Sequence, residues 1–158
     1  MYDLIFRERN SIWKKTNIRQ AWLEIDDYPK VVGSCDLGIC LHYSSSGYDL
    51  PMKVVDMFAA RLPCLAIAGY PSVGELVKDG TQEEESKASV GKELPPRYGM
   101  LFTTCDELAH QIKECLQDFD GTDERGGTKI LREMREDLRD FVKEENSWQA
   151  QWQRTLEE

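Results

Sequence analysis

The stretch DLGICLHYSSSGYDLPMKVVDMFAARLPCLAIAG, residues 36–69, decides the fold, because a strand, a loop, a helix and a second strand follow one another in it. DLGICLH (Asp36–His42) and PCLAIAG (Pro63–Gly69) are nearly continuous apolar runs, which is typical of parallel strands covered on both faces. Between them, helical spacing places four apolar residues on one side: Val54, Val55, Phe58 and Leu62. The stretch therefore predicts a βαβ unit with a right-handed crossover.

The same alternation continues on both sides of this unit. NIRQAWL (Asn17–Leu23) predicts a strand, DYPKVVGSC after it predicts a short helix that ends near Gly33, and GMLF (Gly99–Phe102) predicts a fourth strand. Strands that alternate with helices predict a doubly wound parallel α/β sheet of Rossmann type. Since nucleotide-binding sheets of this type commonly have about six strands, we expect a partial lobe that is truncated at its N-terminus.

Two more helices and a polar segment are predicted downstream. In YPSVGELVKDG, Ser72 at the N-cap and Glu75 three positions on predict a capping box, and Gly80 predicts the end of the helix. CDELAHQIKECLQDF predicts a helix with one apolar face, formed by Leu108, Ile112 and Leu116. The polar text from Thr81 to Arg97 predicts a surface excursion.

The end of the chain predicts long amphipathic helices. After a hinge, DGTDERGG, the apolar positions recur at helical spacing: Ile130, Leu131, Met134, Leu138, Phe141, Trp148, Trp152 and Leu156. We therefore divide the chain into an α/β lobe, residues 1–127, and C-terminal amphipathic helices, residues 128–158.

Composition excludes several classes of function. The chain has 158 residues and a net charge of −9, which argues against a nucleic-acid partner because backbone binding needs a cationic surface. No apolar run is long enough to span a membrane and no signal peptide is evident, so the chain alone is expected to be soluble and cytosolic. The cysteines form no CxxC pair and predict reduced thiols rather than a zinc site: Cys35, Cys40, Cys64, Cys105 and Cys115.

The loop after the first strand of the unit predicts a phosphate site. Ligands of open α/β sheets bind beyond the carboxyl ends of the strands, and a helix start behind small residues attracts anions. The predicted contacts are the hydroxyl and backbone N–H groups of Ser44, Ser45, Ser46 and Gly47. Asp49 is predicted as the N-cap of the helix and Pro51 as a residue near its first position.

Two charged residues on this helix extend the predicted site. Lys53 and Asp56 are neighbours on one helix face, so a diphosphate at Lys53 and a ribose at the Asp56 carboxylate would together fit a nucleoside diphosphate. The alternative is a surface ion pair behind a loop whose serines only cap and turn. Because the chain lacks a GxGxxG motif, a sugar nucleotide is favoured over a dinucleotide.

One segment carries a family resemblance. DYPKVVGSCDLGICLHYSSSGYDLPMKVVDMFAARLPCLAI (Asp27–Ile67), with ELVKDG after it, resembles the C-terminal, donor-binding half of the chitobiosyldiphosphodolichol beta-mannosyltransferases, which have two Rossmann domains. The resemblance runs from Trp22 to Leu116, with weaker likeness to the chain end. It implies an inverting enzyme that transfers mannose from GDP-mannose to dolichol-diphosphate-linked chitobiose, the first mannose of the N-glycan precursor.

The resemblance also implies roles for individual residues. Lys53 takes the place of a lysine that contacts the donor phosphates, and Asp56 that of an acidic residue that holds the ribose in a K-x-x-E setting. Aspartate instead of glutamate keeps the charge and shortens the reach. His42 is a candidate contact of the donor sugar, although a lone histidine at a strand end is more often structural. Glu75 is better explained by the capping box than by the nucleotide.

Partners and location also come from the resemblance. It implies GDP-mannose as donor substrate and names no cofactor, and it implies a lipid-linked chitobiose acceptor bound through a missing N-terminal lobe. That lobe, or the cleft between the two lobes, is also expected to supply the general base. The C-terminal helices are expected to pack on the nucleotide-sugar-binding lobe, residues 1–127, or on the missing N-terminal domain. Full-length enzymes of this kind act at the cytosolic face of the endoplasmic reticulum membrane, and association with other dolichol-pathway mannosyltransferases is a further prediction. The alternative is a noncatalytic remnant that binds nucleotide or a partner glycosyltransferase.

Overall fold

A three-stranded parallel sheet organises the part of the chain that the structure, a computed structural model, describes: residues 19–80, 96–117, 119 and 128–144. The strands are β1 (Gly38–Cys40), β2 (Cys64–Ile67) and β3 (Gly99–Phe102), and β2 lies between the other two. Both pairings are parallel, as the connecting helices require. The predicted fold class, a partial doubly wound α/β lobe, is confirmed.

Within the described ranges, five helices accompany the sheet: α1 (Tyr28–Gly33), α2 (Met52–Ala59), α3 (Pro71–Leu76), α4 (Cys105–Leu116) and α5 (Lys129–Glu144). Helix α1 ends at Gly33 and β3 spans GMLF, as predicted, while α4 begins at Cys105 as predicted and ends at Leu116, three residues before the end of the predicted segment. In α2, Val54 and Phe58 are buried as the apolar spacing predicts, whereas Leu62 is buried beyond the end of the helix. The sequence therefore identified the central βαβ unit correctly.

The core lies on both faces of the sheet because side chains of β2 alternate between them. On one face, Cys64 and Ala66 pack in a cluster with residues of α2 and α3. On the other, Leu65 packs with residues of β3, α4 and α5. Helix α5 supplies both clusters: Leu138 to the first, and Leu131 and Met134 to the second.

The backbones approach closely at Gly99, which pairs with Cys64. A Cβ atom at Gly99 would overlap the carbonyl oxygen of Cys64 and lie 3.2 Å from a methyl of Val77. Because backbone cannot move aside as a flexible side chain can, only glycine fits at this first position of β3.

Two strand predictions are wrong or too long. Residues 19–23, most of the predicted strand NIRQAWL, form no strand, and Trp22 is 95% exposed. No described strand pairs with them, so their backbone groups have no ladder to join. Strand β1 has three residues instead of seven, and Ile39 is 43% exposed, so β1 is not covered on both faces.

The predicted capping box of α3 is also wrong. Tyr70 is the N-cap residue and no side chain caps it, because the hydroxyl of Ser72 instead donates to the carbonyl of Gly47 at 3.2 Å. The helix ends at Leu76 rather than at Gly80. A capping box does occur in α4, where Thr104 accepts from the Glu107 N–H at 3.1 Å.

Several sequence predictions lie outside the described residues. These are the hinge at 120–127, most of the polar excursion after residue 80, and the tryptophans at 148 and 152 with Leu156. The predicted division at residue 127 stays a prediction.

Candidate functional site

The loop between β1 and α2 is held together by one buried hydroxyl, that of Ser44, which is 3% exposed. It accepts from the N–H of Gly47 at 2.9 Å and from that of Asp49 at 3.3 Å. It donates to the Asp49 carboxylate at 3.0 Å, and its oxygen lies 3.2 Å from the hydroxyl oxygen of Ser46. Ser44 therefore shapes the loop, and its hydroxyl is committed to the protein's own groups.

Gly47 joins this loop to helix α3. Its φ of 82° lies in the left-handed region that glycine adopts without strain, and its carbonyl accepts from Ser72 of α3. Ser45 and Ser46 are exposed, and Ser46 accepts from the Tyr48 N–H at 3.3 Å. Of the three predicted serines, Ser45 and Ser46 therefore face solvent and Ser44 does not.

Helix α2 begins two residues later than predicted. Pro51 is its N-cap residue, and the predicted N-cap, Asp49, instead uses its carboxylate to accept from Ser44. The carbonyl of Pro51 accepts from the N–H of Val54 at 2.8 Å. The N–H groups of Met52 and Lys53, in the first turn, have no acceptor among the described residues. Such groups carry the positive end of the helix dipole, which favours an anion.

Lys53 and Asp56 lie together, as the helical spacing predicts. Lys53 Nζ is 3.1 Å from Asp56 Oδ2, and the side chains are 65% and 35% exposed. A third residue joins them: the hydroxyl of Tyr28, in α1, donates to Asp56 Oδ2 at 3.1 Å. The pKa of Lys53 is raised by its hydrogen bond to Asp56 and then by that to Tyr28, so the ammonium stays charged.

Tyr28 was missed by the sequence reasoning. It stands 25 residues before Lys53 and 28 before Asp56, so no local spacing links them. Only the packing of α1 against α2 brings the three side chains together. A half-buried tyrosine at the start of a short helix gives no signal of this kind in the sequence.

His42 lies two residues after the end of β1 and is exposed. Its ring meets that of Tyr70 edge to face, with centroids 6.3 Å apart, and its carbonyl accepts from the Tyr70 hydroxyl at 3.4 Å. Burial raises the pKa of Tyr70. Glu75, in α3, is exposed and takes no part in a capping box. His42 thus stays a candidate for a sugar contact.

The thiols agree with the predicted reduced state. All five cysteines are free, with Cys40, Cys64 and Cys115 buried and the other two exposed. Burial raises the pKa of Cys64 to about 12. Within the described ranges, no three or more histidine, cysteine or acidic side chains converge as metal ligands would, and no helix is both long and apolar enough to cross a bilayer.

Comparison with known proteins points to one kind of enzyme. A chitobiosyldiphosphodolichol beta-mannosyltransferase of Eremothecium gossypii is 35% identical over 150 residues, which are 95% of this chain and 26% of that protein. The enzyme of the same name from Yarrowia lipolytica is 51% identical over 95 residues, 60% of this chain and 20% of that protein. The chain resembles the C-terminal part of this mannosyltransferase.

A protein with a different name is also similar. The UDP-glycosyltransferase TURAN of Arabidopsis thaliana is 42% identical over 113 residues, 68% of this chain and 21% of that protein. The chain thus spans about a fifth to a quarter of the length of these relatives. No protein-family model and no solved structure matches it. The predicted resemblance is confirmed, and its relatives are named as glycosyltransferases, whereas the roles of individual residues stay predictions.

Proposed function

We propose that this chain is the donor-binding lobe of a mannosyltransferase that transfers mannose from GDP-mannose to dolichol-diphosphate-linked chitobiose. The names of the relatives support the reaction class. The observation that carries the proposal is local: Lys53 Nζ and Asp56 Oδ2 lie 3.1 Å apart on a helix that begins directly behind the small-residue loop. That loop follows the carboxyl end of β1, where open α/β sheets bind their ligands.

The two halves of a nucleoside diphosphate match two kinds of group at this site. The diphosphate would take the N–H groups of Met52 and Lys53, which have no acceptor in the described part of the chain, together with the Lys53 ammonium; these groups supply positive charge in a chain of net charge −9. The ribose hydroxyls would donate to the Asp56 carboxylate, which accepts at both oxygens. Ser45, Ser46 and Gly47 would line the diphosphate and the sugar, while Ser44 and Asp49 hold the loop in shape.

The remaining parts of the reaction are assigned to other parts of a full-length enzyme. Transfer with inversion needs a general base at the acceptor hydroxyl. We place that base, the lipid-linked acceptor and the attachment to the cytosolic face of the endoplasmic reticulum membrane outside this chain. Association with other dolichol-pathway mannosyltransferases belongs to the same proposal.

Calorimetry with the purified chain tests the donor site. GDP and GDP-mannose should bind, and Asp56→Ala should weaken GDP by roughly 1 to 3 kcal/mol, the cost of a lost hydrogen bond to a charged group. Asp27→Ala is the matched control, because Asp27 pairs with Lys30 at 2.9 Å, also three residues apart and on the exposed side of α1. No guanine nucleotide binding by the folded chain, or equal losses in both variants, would contradict the proposal.

A UDP-linked donor is the second candidate, because the Arabidopsis relative is named a UDP-glycosyltransferase. The same titrations with UDP and UDP-glucose decide between the two, and we expect GDP-mannose to bind more tightly than UDP-glucose. Transfer is then measured with a chitobiosyl-diphosphate lipid, using the chain alone and with the N-terminal lobe of a relative. Product from the pair alone supports a divided enzyme, whereas product from neither favours a noncatalytic nucleotide-binding protein.

A further inference from the structure

The carboxylate of Asp56 is held from a second helix. The hydroxyl of Tyr28, in α1, and the ammonium of Lys53 both donate to Oδ2, each at 3.1 Å. The other oxygen, Oδ1, accepts no hydrogen bond from the described residues. One oxygen of the carboxylate is therefore fixed by the protein, and the other is open to a ligand.

Tyr28 also holds the ammonium. Lys53 Nζ lies 3.4 Å from the Tyr28 hydroxyl oxygen and 4.7 Å from the centroid of its ring, within the range of a cation–π contact. The exposed pair formed by Asp27 and Lys30 has the same spacing but no third partner among the described residues. Such isolated pairs hold their side chains weakly. Tyr28 thus distinguishes the pair on α2 from an ordinary surface ion pair.

We propose that Tyr28 is a positioning residue of the donor site, which fixes Asp56 Oδ2 so that Oδ1 is oriented to accept from a ribose hydroxyl. The inference rests on the proposed function, since it takes Asp56 as the ribose acceptor. A carboxylate held in place before binding loses less conformational freedom when the ligand arrives. Tyr28 acts through Asp56 and needs no contact with the nucleotide.

The test compares Tyr28→Phe with the unchanged chain in calorimetric titrations of GDP and 2′,3′-dideoxy-GDP. The variant keeps the ring and removes only the hydroxyl. GDP should bind roughly two- to tenfold more weakly to it, as expected for one hydrogen bond, whereas the dideoxy analogue should bind both proteins equally. Tyr43→Phe is the control, because Tyr43 is exposed and its hydroxyl has no partner among the described residues.

A double-mutant cycle tests whether Tyr28 acts through Asp56. In a chain that already carries Asp56→Ala, Tyr28→Phe should not weaken GDP binding further, because the effects of substituting two contacting residues that act as one unit are not additive. If Tyr28→Phe weakens the binding of GDP and of the dideoxy analogue equally, or leaves GDP binding unchanged or tighter, the inference is overturned while the proposed function stands. Failure of the unchanged chain to bind GDP overturns the proposed function itself.

Folding is checked by circular dichroism and urea midpoints. Should Tyr28→Phe fail to fold, Tyr28→His replaces it, because histidine keeps a ring with an N–H donor. It should retain most of the difference in affinity between GDP and the dideoxy analogue. Loss of that difference in a folded Tyr28→His protein also overturns the inference.

Discussion

Replacing Ser44 by alanine should both destabilise the chain and weaken the donor site. The change removes the acceptor of two backbone N–H groups, those of Gly47 and Asp49, and the donor to the Asp49 carboxylate. A buried group left without its partner costs about 1 to 3 kcal/mol. Because Asp49 is exposed and water can replace its lost bond, we take about 1 to 3 kcal/mol for the whole substitution rather than that cost for each bond.

Urea unfolding followed by circular dichroism measures the loss of stability, and GDP titration measures the effect on the loop. Ser45→Ala is the matched control: its hydroxyl is exposed and has no hydrogen-bond partner among the described residues, so its free energy of unfolding should change by less than about 0.5 kcal/mol. If Ser44→Ala matches Ser45→Ala in stability and leaves the GDP affinity of the unchanged chain intact, the buried hydroxyl does not organise the loop.

Three further predictions concern the scaffold. Gly99→Ala should lower the free energy of unfolding in urea by at least about 1 to 3 kcal/mol, because the added Cβ would overlap backbone. Gly74→Ala is the control and should be neutral or stabilising, because its added Cβ would meet none of the neighbouring atoms within 4 Å. Equal effects of the two substitutions would refute the packing argument. Hydrogen bonds from Thr103 lower the pKa of Glu107. The Glu107 contribution to the stability of the fold is therefore present above the usual glutamate pKa and lost as the pH falls through the pKa in the folded chain, and Glu107→Gln should flatten that part of the acid unfolding curve. Cys105 is exposed and should react with a thiol reagent in the folded chain, whereas Cys64 should react only after unfolding. Burial raises the pKa of Cys64 to about 12, so its contribution to stability is lost as the pH rises toward that value. Equal labelling rates for the two thiols would contradict the burial of Cys64.

The central unit was predictable because local signals agree there. Apolar runs, a helical stripe and a loop of small residues all point to a βαβ unit between residues 36 and 69, and the structure has one. The helical spacing of Lys53 and Asp56 also placed these side chains together correctly. Features that depend only on the spacing of residues within one helix or strand can be predicted from the sequence.

The errors share a different cause. Ser72 and Asp49 have the chemistry of N-cap residues, but neither caps a helix. Ser72 instead donates to the carbonyl of Gly47, and the Asp49 carboxylate accepts from Ser44. The predicted strand at residues 19–23 lacks a described neighbour to pair with, and a strand needs one. Tyr28 is brought to Asp56 by helix packing over 28 positions. In each case the outcome depended on a contact outside the helix or strand being predicted, and the periodicity of that element does not record such a contact.

Helix α5 has a consequence for how the lobe unfolds. Because Leu138 completes the core on one side of the sheet while Leu131 and Met134 complete it on the other, detaching this single helix would bare both hydrophobic surfaces at once. The two sides are thereby thermodynamically linked, and the lobe should melt as one cooperative unit. A protease that cut before residue 128 would therefore leave an aggregation-prone remainder and no smaller stable domain.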